Sequence, residues 1–394
     1  MRPRVLFVGR ARHRLPLSPT LARRFDALSA ELDWRQLGTS ADGPAVRDSR
    51  FRLARRFPVR RLDGPVFYAL LPFRVARELR EFRPDAVLAQ GAQETALVLL
   101  ARVVARVPAK VILDLHGDWQ APTRLYGSRL RGALVPLNDL LARVALRRAD
   151  GIRTISGYTS GLVRARGLEP AAEFPAYMDL APFLERPAEP LPERPCALFV
   201  GVLEHYKAVD VLADAWRLAA PRVPDARLRL VGRGTMADVV ERLVADLPEQ
   251  TTWSPALATD EVARALDEAW VLVLPSRSEG MGRVLVEAFC RGRGVVGSRV
   301  GGIPDLVEHD VSGLLVQPGD ARELADTLVR VLSERPLAER LAAGANEAAP
   351  RWTATPEEFA ARMRELVDRV VDRPSRTCPV SGTAEAPADA EVPD

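Results

Sequence analysis

The sequence predicts an α/β protein made of two doubly wound domains that face each other across a cleft. Short, fully apolar runs that end in glycine or another small residue recur along the chain, as in parallel sheets that are buried on both faces. Amphipathic helical patterns separate these runs, so strand and helix alternate in each half. A chain of 394 residues is also too long for one ordinary core.

The predicted elements follow in chain order. In the first half, the strands are Val5–Gly9, Ala86–Gly91, Val111–Gly117 and Gly151–Ser156, and the helices are Thr20–Leu32, Thr95–Ala105 and Leu134–Arg148. In the second half, the strands are Ala197–Val202, Leu228–Gly232, Trp270–Ser276 and Gly294–Ser298, and the helices are Val209–Ala219, Thr259–Leu266, Arg283–Arg291 and Ala321–Leu332.

Composition places the domain boundaries. The stretch FLERPAEPLPERPC contains four prolines and cannot continue a helix, so we interpret residues 185–195 as a linker between domains spanning 1–184 and 196–350. An amphipathic helix is predicted over Pro356–Asp372, and we expect this 351–373 segment to pack back on the first domain. The tail, 374–394, is rich in proline, alanine and acids, which predicts disorder.

Composition also narrows the class of protein. No run approaches the ~20 apolar residues of a membrane span, and the N-terminal apolar run is too short for a signal peptide. The three cysteines are scattered, which argues against a disulfide framework or a zinc site and favours a reducing, cytoplasmic setting. Residues through Leu184 carry 31 lysines and arginines against 17 acids, and the rest carry 25 against 35. This asymmetry fits mutual attraction across a cleft, an acidic acceptor or a membrane surface.

The stretch SRSEGMGRVLVEAFCRG, from Ser276 to Gly292, carries the most chemistry. The backbone N–H groups of Gly280, Met281, Gly282 and Arg283 precede a helix, which is a ready site for a phosphate. Glu279 stands at the mouth of this turn, and Glu287 falls inside the helix, where a buried carboxylate needs a partner such as a ribose hydroxyl pair. Taken alone, Glu279 could equally be a helix-cap acid and Glu287 part of a solvated face.

The frame P-S-x-x-E-G-x-G-x-x-x-x-E-A resembles the signature of retaining GT-B glycosyltransferases of family 4. The resemblance continues in FVGVLEHYKAVDVLADAW (Phe199 to Trp216), in LRLVGRG (Leu228 to Gly234), and downstream in GGIPD and SGLLV. It covers about Pro195 to Pro350 closely. In the first half the resemblance is weaker and rests on two stretches, DLHGDW (Asp114 to Trp119) and SGYTSGLV (Ser156 to Val163). It implies the GT-B architecture, in which two Rossmann-like domains enclose the donor and acceptor.

The resemblance also implies roles for particular residues. Lys207, together with the backbone from Gly280 to Arg283, would bind the donor diphosphate, with Gly201 and Gly232 at the same sheet edge. Glu287 would hold the ribose hydroxyls, Glu279 the hydroxyls of the donor sugar, and His116 would lie beside that sugar. On physical grounds alone, Lys207 could be a solvated helix cap and His116 a buried histidine bonded to backbone.

The reaction so implied is transfer of a sugar from a nucleotide diphosphate to an acceptor hydroxyl, with retention at the anomeric carbon. The leaving phosphate would take the acceptor's proton, and the transition state would need positive charge near that phosphate. The sequence contains no DxD-like metal signature, so we expect neither a metal nor another cofactor. The base, the sugar and the acceptor are not indicated by the sequence.

Two departures from the family pattern bear on this interpretation. Gly201 is followed by Val202, where the family commonly has an arginine that clamps phosphate; Arg283 and Arg233 are candidate substitutes. The first βα loop reads GRARHRLPLSPTLARRFD instead of carrying a glycine pair. Its Arg10, Arg12 and His13 are candidates for binding an anionic acceptor or the phosphates, unless the loop is simply solvated.

Other functions are left open by the sequence. Val202 motivates one alternative, a catalytically silent nucleotide-binding subunit that acts with a partner enzyme, but the Glu279 and Glu287 pair, Lys207 and His116 argue against it. A Rossmann oxidoreductase is disfavoured because neither first strand is followed by GxGxxG, and nucleic-acid binding is disfavoured because the chain lacks a recognisable module. Arginines alternate with Phe, Leu and Tyr over 50–82, which fits either peripheral contact with an anionic membrane or an ordinary surface helix pair.

Overall fold

The computed structural model describes residues 1–41, 44–57, 59–120 and 135–372, without the side chains of residues 19, 20, 60 and 61. The tail over 374–394, which was predicted to be disordered, lies outside the described residues, as does Cys378. Within these residues the chain forms two α/β domains, each built on a largely parallel sheet, as the sequence predicted.

The first domain is built on eight strands in the order β3-β4-β2-β1-β5-β6-β7-β8. All neighbouring pairs are parallel except β3 with β4. The strands are β1 (Arg4–His13), β2 (Asp33–Ser40), β3 (Val46–Arg47), β4 (Phe51–Ala54), β5 (Ala86–Gln90), β6 (Lys110–Leu115), β7 (Gly151–Thr154) and β8 (Ala172–Glu173). The helices are α1 (Pro19–Glu31), α2 (Arg60–Phe82), α3 (Ala92–Ala105), α4 (Val135–Arg148) and α5 (Gly157–Arg164). The short helix α6 (Ala181–Leu184) follows them in the chain and packs on the second domain, where Phe183 is buried.

The second domain has six parallel strands in the order β11-β10-β9-β12-β13-β14. They are β9 (Cys196–Val200), β10 (Arg227–Val231), β11 (Thr251–Ser254), β12 (Val271–Leu274), β13 (Gly294–Ser298) and β14 (Gly313–Val316). The helices are α7 (Val209–Ala219), α8 (Ala237–Asp246), α9 (Thr259–Asp267), α10 (Arg283–Cys290), α11 (Ile303–Leu306), α12 (Ala321–Ser333) and α13 (Arg335–Ala348), and the last helix of the chain is α14 (Pro356–Val371). The strand order is 3-2-1-4-5-6, so the topological switch point lies between β9 and β12.

The last helix, α14, begins in the second half of the chain but contributes to the first domain's core. Phe359, Met363 and Val367 are buried together with Val5 and Phe7 of β1. Its N-terminus is closed by a capping box, in which the hydroxyl of Thr355 accepts a hydrogen bond from the backbone N–H of Glu358. This crossing returns the chain to the first domain and fastens the two domains to each other.

The strand β1 runs further than the sequence predicted. The prediction of a basic loop from Gly9 is wrong, because β1 stays paired with β2 through His13 after an irregularity between Val8 and Arg12. The His13 ring is buried among Phe25 and Phe51, 6.1 Å and 5.6 Å from their centroids. Arg10 and Arg12 reach the buried carboxylate of Asp63 at 3.1 Å and 3.5 Å. His13 is therefore a residue of the hydrophobic core. Arg10 and Arg12 each form an ion pair with Asp63.

Burial of His13 predicts an acid-sensitive first domain. Burial, reinforced by the charge of Arg24, lowers the pKa of His13 from 6.5 to about 4. The folded state therefore holds this ring neutral, so its contribution to stability is complete above pH 6.5 and is lost as the pH falls towards 4. At pH 5 the loss is about 2 kcal/mol, since each pKa unit is worth about 1.4 kcal/mol.

The variant His13→Leu tests this expectation. In urea titrations at pH 7.5 and pH 5, the wild type should lose about 2 kcal/mol more unfolding free energy than the variant does, because only the wild type has this ring to protonate. Equal losses in the two proteins would contradict the assignment.

None of the described helices is both long enough and apolar enough to cross a membrane. The two cysteines within the described residues, Cys196 and Cys290, are free thiols, and burial raises the pKa of each to about 11. Neither thiol is ionised near neutral pH, so both behave as small apolar side chains.

Candidate functional site

Two charged residues flank the switch point of the second sheet. Lys207 closes a short 3₁₀ turn after β9, and Glu279 lies in the loop after β12. Their side chains form an ion pair, with 12% and 14% of each side chain exposed. Because ligands of doubly wound sheets bind outside the carboxyl ends of the strands at the switch point, this pair lies where a nucleotide is expected.

The turn that carries Lys207 is held against the loop that carries Glu279. Arg277 makes a two-pronged ion pair with Asp210, at 2.8 Å and 2.7 Å, and its backbone N–H donates to the carbonyl of Tyr206. Ala208, next to Lys207, is fully buried and adopts a left-handed conformation with φ of 54°. The position of the lysine is therefore fixed by neighbours on both sides. Sequence analysis missed Arg277 and Asp210, since their 67-residue separation gives no local signal.

Glycines let the backbones at this edge approach each other. A Cβ on Gly232 would overlap the carbonyl oxygen of Gly201, and one on Gly301 would overlap that of Glu279. Gly301 has φ of 59° and Gly232 of 148°, which side chains rarely adopt. Gly301 and Gly302 of the GGIPD stretch therefore pack directly against the backbone of Glu279. The N–H of Gly302 donates a hydrogen bond to the Glu279 carbonyl at 3.0 Å.

Glu287 lies one turn into α10 and is buried, at 8% exposure. Burial raises the pKa of its carboxyl group, and the guanidinium of Arg283, whose Nε is 2.7 Å from Oε1, opposes this rise. The N-cap of the helix is Gly282 with φ of 85°.

Arg283 also lies 3.5 Å from the carbonyl of Asp179. Of the two predicted substitutes for a phosphate-binding arginine, Arg283 is therefore engaged with Glu287, whereas Arg233 is exposed beside Gly232.

Val202, the departure from the family pattern, lies at the same edge. Val202 is 44% exposed. The neighbouring Leu203 N–H donates to the carbonyl of Arg233 at 3.1 Å, which holds this loop against the one after β10. This loop therefore exposes an apolar side chain at the position where the family resembled in sequence commonly has an arginine.

His116 follows β6 in the first domain, and a buried network orients it. Its Nε2 lies 2.9 Å from Oδ2 of Asp114, whose other oxygen accepts from Arg153 at 2.5 Å. Burial alone would raise the pKa of Asp114, but Arg153 and His116 hold it well below its ordinary value. Because an ionised carboxylate only accepts hydrogen bonds, Nε2 of His116 carries a proton and donates a hydrogen bond to Asp114.

Arg153 holds this hydrogen-bond network in place by contacts to Asp114 and to backbone carbonyls. It is 1% exposed, donates to the carbonyl oxygens of Phe174 and Pro175, and stacks 4.1 Å from the Phe174 ring centroid. The sequence carried a signal for Asp114, an acid two residues before the histidine on one strand, but none for Arg153, which lies 39 residues further along.

The carboxyl edges of the two sheets meet at this site. A Cβ on Gly280 would overlap the carbonyl oxygen of His116, so the loop after β12 lies directly against the end of β6. The hydroxyl of Ser156 donates to the Gly280 carbonyl at 2.9 Å, and the N–H of Tyr158 donates to Asp305 at 2.7 Å. The structure thus brings Lys207, Glu279, Gly280 and His116 to one place. It puts the Glu287–Arg283 pair one helical turn away.

The described residues contain no group of three or more histidine, cysteine or acidic side chains placed to hold a metal ion. The carboxylates of this region are instead engaged by cationic side chains: Glu279 by Lys207, Glu287 by Arg283, and Asp210 by Arg277.

Comparison with known proteins matches each domain to a glycosyl transferase family model. A model described as glycosyl transferases group 1 matches residues 194–334, and one described as a glycosyl transferase 4-like domain matches residues 9–174. A GDP-mannose-dependent α-(1-6)-phosphatidylinositol monomannoside mannosyltransferase of Mycobacterium tuberculosis is 27% identical over 84% of this chain and 86% of its own length.

Two further relatives match a shorter part. The sulfoquinovosyl transferase SQD2 of Arabidopsis thaliana is 30% identical over 41% of this chain and 31% of its own length. A D-inositol 3-phosphate glycosyltransferase of Thermobispora bispora is 32% identical over 48% of this chain and 46% of its own length. The chain therefore spans less than half the length of these two relatives.

Solved structures share the fold at low identity. A sucrose-phosphate synthase from Thermosynechococcus elongatus superposes with a TM-score of 0.75 over 94% of this chain and 99% of its own, at 18% identity. HepE of Anabaena, solved in complex with UDP and glucose, superposes with a TM-score of 0.67 over 92% and 100%, at 19% identity. With both family models matched and this architecture shared, the chain belongs to the group 1 glycosyl transferases, related to family 4 and of GT-B architecture.

Proposed function

We propose that this protein transfers a sugar from a nucleotide-diphosphate donor to an acceptor hydroxyl, with retention of anomeric configuration and without a metal ion. The observation that carries the proposal is the Lys207–Glu279 pair at the switch point of the second sheet, with Gly280 against His116 of the first domain. One cation, one carboxylate and one histidine thus converge between two carboxyl edges, which is where doubly wound folds bind ligands.

In this proposal the diphosphate lies over Lys207 and the backbone at the start of α10. The bond from the anomeric carbon to the phosphate oxygen breaks, and a bond to the acceptor oxygen forms on the same face. The acceptor's proton passes to the departing phosphate oxygen. Lys207 stabilises the charge that develops on that oxygen, and such preorganised charge is typically worth about 10²–10³ in rate.

The other residues orient the donor. Glu279 accepts hydrogen bonds from the sugar hydroxyls, and the Lys207 ammonium holds its carboxylate in place. His116, fixed by Asp114 and Arg153, faces the sugar from the first domain. Glu287 binds the ribose hydroxyls, and ribose would then replace Arg283 as a partner or share the carboxylate with it.

The proposal is tested by thermal unfolding of the whole chain with UDP, GDP, ADP and dTDP in the presence of a chelator. GDP and UDP are the first choices, because the M. tuberculosis relative is GDP-mannose-dependent and HepE was solved with UDP. A nucleotide at about a hundred times its Kd should add about 2.7 kcal/mol of stability. Without a shift from any of them, donor binding by this chain alone would be contradicted.

Replacement of Glu287 by glutamine should weaken binding of the stabilising nucleotide about 10- to 100-fold. The reason is that hydrogen bonds to a charged partner contribute about 1.5–3 kcal/mol. The control is Glu339→Gln, since Glu339 forms the same kind of pair, Arg335 Nε to Oε1 at 2.8 Å, on a helix away from the switch point. Isothermal titration of both variants is the measurement. Equal affinity in Glu287→Gln and wild type would remove Glu287 from the site.

A further inference from the structure

Three neighbouring helices form one layer over one side of the first sheet. The side chains of Leu6, Val87 and Val111 on this side pack with α2 and α3, and Leu113 and Ile152 pack with α4. The opposite side, which includes Val5 and Phe7, is covered by α1 and α14. Since α3 contacts both α2 and α4, it lies between them, and the three helices present a continuous outer surface.

This outer surface, named here the outer helix face, is strongly apolar. Of the fifteen large apolar side chains that are exposed in the described part of the chain, nine lie on these three helices. On α3 and α4 each of them is three or four residues from another, which puts them along one side of each helix. The nine are Leu62, Leu70 and Phe73 on α2, Leu100, Val103 and Val104 on α3, and Leu137, Leu140 and Val144 on α4.

Arginines surround these apolar residues. Arg80 of α2 reaches across to the carbonyl of Val104 at 3.1 Å, so a cation lies at the junction of two apolar stripes. Exposed acids are scarce on the three helices as described: Glu81 is paired with Arg47 and Arg77, and Asp139 is half-buried. The exposed arginines on these helices and at their C-terminal caps are Arg77, Arg80, Arg83, Arg106, Arg143, Arg147 and Arg148.

We propose that the outer helix face binds the surface of an anionic lipid membrane. Phe73, Val103 and Leu140, one from each helix, would enter the boundary between headgroups and acyl chains, and the arginines would contact the anionic headgroups. Apolar insertion combined with basic attraction is the two-part signal that gives stable peripheral binding. Each arginine near such a surface strengthens binding about fivefold. A protein partner would find the same apolar stripes, but the excess of cations over acids favours a surface of uniform negative charge.

This surface differs from the membrane contact that the sequence suggested over residues 50–82. The first part of that stretch forms β4, in which Phe51 and Leu53 are buried in the core. Only the outward side of α2 remains available, and α3 and α4 supply the rest of the surface. The binding does not depend on the proposed transferase activity, so nucleotide binding in solution and vesicle binding are tested separately.

Co-sedimentation of the full chain with vesicles tests the proposal. One set contains phosphatidylcholine alone, and the other contains about one-third phosphatidylglycerol. We expect binding to the anionic vesicles that weakens several-fold between 0.05 M and 0.5 M salt, together with little binding to the neutral ones. The triple variant Phe73→Ser/Val103→Ser/Leu140→Ser should lose at least about tenfold in binding.

The control variant is Leu218→Ser/Val311→Ser, which removes two exposed apolar side chains from the second domain. It should bind as the wild type does, and both variants should unfold cooperatively in thermal unfolding without ligand, which shows that they are folded. The proposal is overturned if the wild type fails to sediment with anionic vesicles at either salt concentration. It is also overturned if the triple variant binds unchanged, or if the wild type self-associates with rising concentration in lipid-free light scattering and the triple variant does not.

Discussion

Replacement of Lys207 by methionine should lower kcat/KM for sugar transfer about 10²- to 10³-fold. Two effects act together in this variant. The departing phosphate loses a preorganised positive charge, a loss that typically costs about 2.7–4 kcal/mol in the transition state. In addition, Glu279 is left mostly buried without its ammonium partner, and an unpaired buried charge is unfavourable.

The chain offers a matched control for this variant. Lys110 is the only other lysine in the sequence and opens β6, at the end of the sheet opposite the carboxyl edge. Lys110→Met should therefore retain wild-type kcat/KM. Steady-state kinetics with the donor identified by thermal unfolding measures both variants. Activity of Lys207→Met within about threefold of wild type would show that the lysine does not serve the leaving group, because one charge-stabilising group is worth far more than that.

Replacement of Gly280 by alanine should reduce kcat/KM by at least about 10²-fold through a steric effect. The added Cβ would overlap the carbonyl oxygen of His116, which is backbone and cannot rotate away. The two domains would have to separate locally, and small misplacements of catalytic groups are known to cost about this much. The Gly280 carbonyl would also lose its bond from Ser156.

Gly161 provides the control for the steric argument. An alanine there would meet nothing within 4 Å, and its helical position tolerates a side chain. Gly161→Ala should therefore leave activity unchanged. Small-angle scattering should show a larger radius of gyration for Gly280→Ala than for Gly161→Ala. Unchanged kinetics and unchanged scattering for Gly280→Ala would contradict the close approach of the two domains.

Much of the fold was predictable because the strands near the site are buried on both faces. Fully apolar runs predicted β5, β9, β12 and β13 within a few residues. The polar parts of the sheet were missed: β2 contains Arg35 and Gln36, and β4 contains Arg52, so neither has a continuous apolar run. For residues 50–82 a surface helix pair was one of two interpretations left open; the structure instead forms the strand β4 and a single helix, α2, which continues through Pro65 and Pro72 although proline ordinarily ends a helix.

Some residues of the candidate site could likewise be predicted from the sequence, and others could not. Glu279, Glu287 and Lys207 belong to a local pattern, so sequence could identify them, and the structure brings Lys207 and Glu279 into contact. His13 was misassigned because a histidine among three arginines suggests a basic loop, whereas its burial depends on Phe25 and Phe51 from elsewhere in the chain. Arg153 and the Arg277–Asp210 pair act through residues distant in sequence. Only the three-dimensional arrangement could reveal them.

The most direct test of the account is the configuration of the transferred sugar. The full-length chain would be incubated with the sugar nucleotide that stabilises it, a chelator, and methanol as a surrogate acceptor that locks the anomeric centre. Proton NMR then identifies the methyl glycoside. We expect release of the nucleoside diphosphate and a glycoside with the donor's own anomeric configuration. An inverted glycoside would contradict the proposed same-face displacement. Turnover that requires added metal would contradict the role given to Lys207 as the main charge at the leaving phosphate.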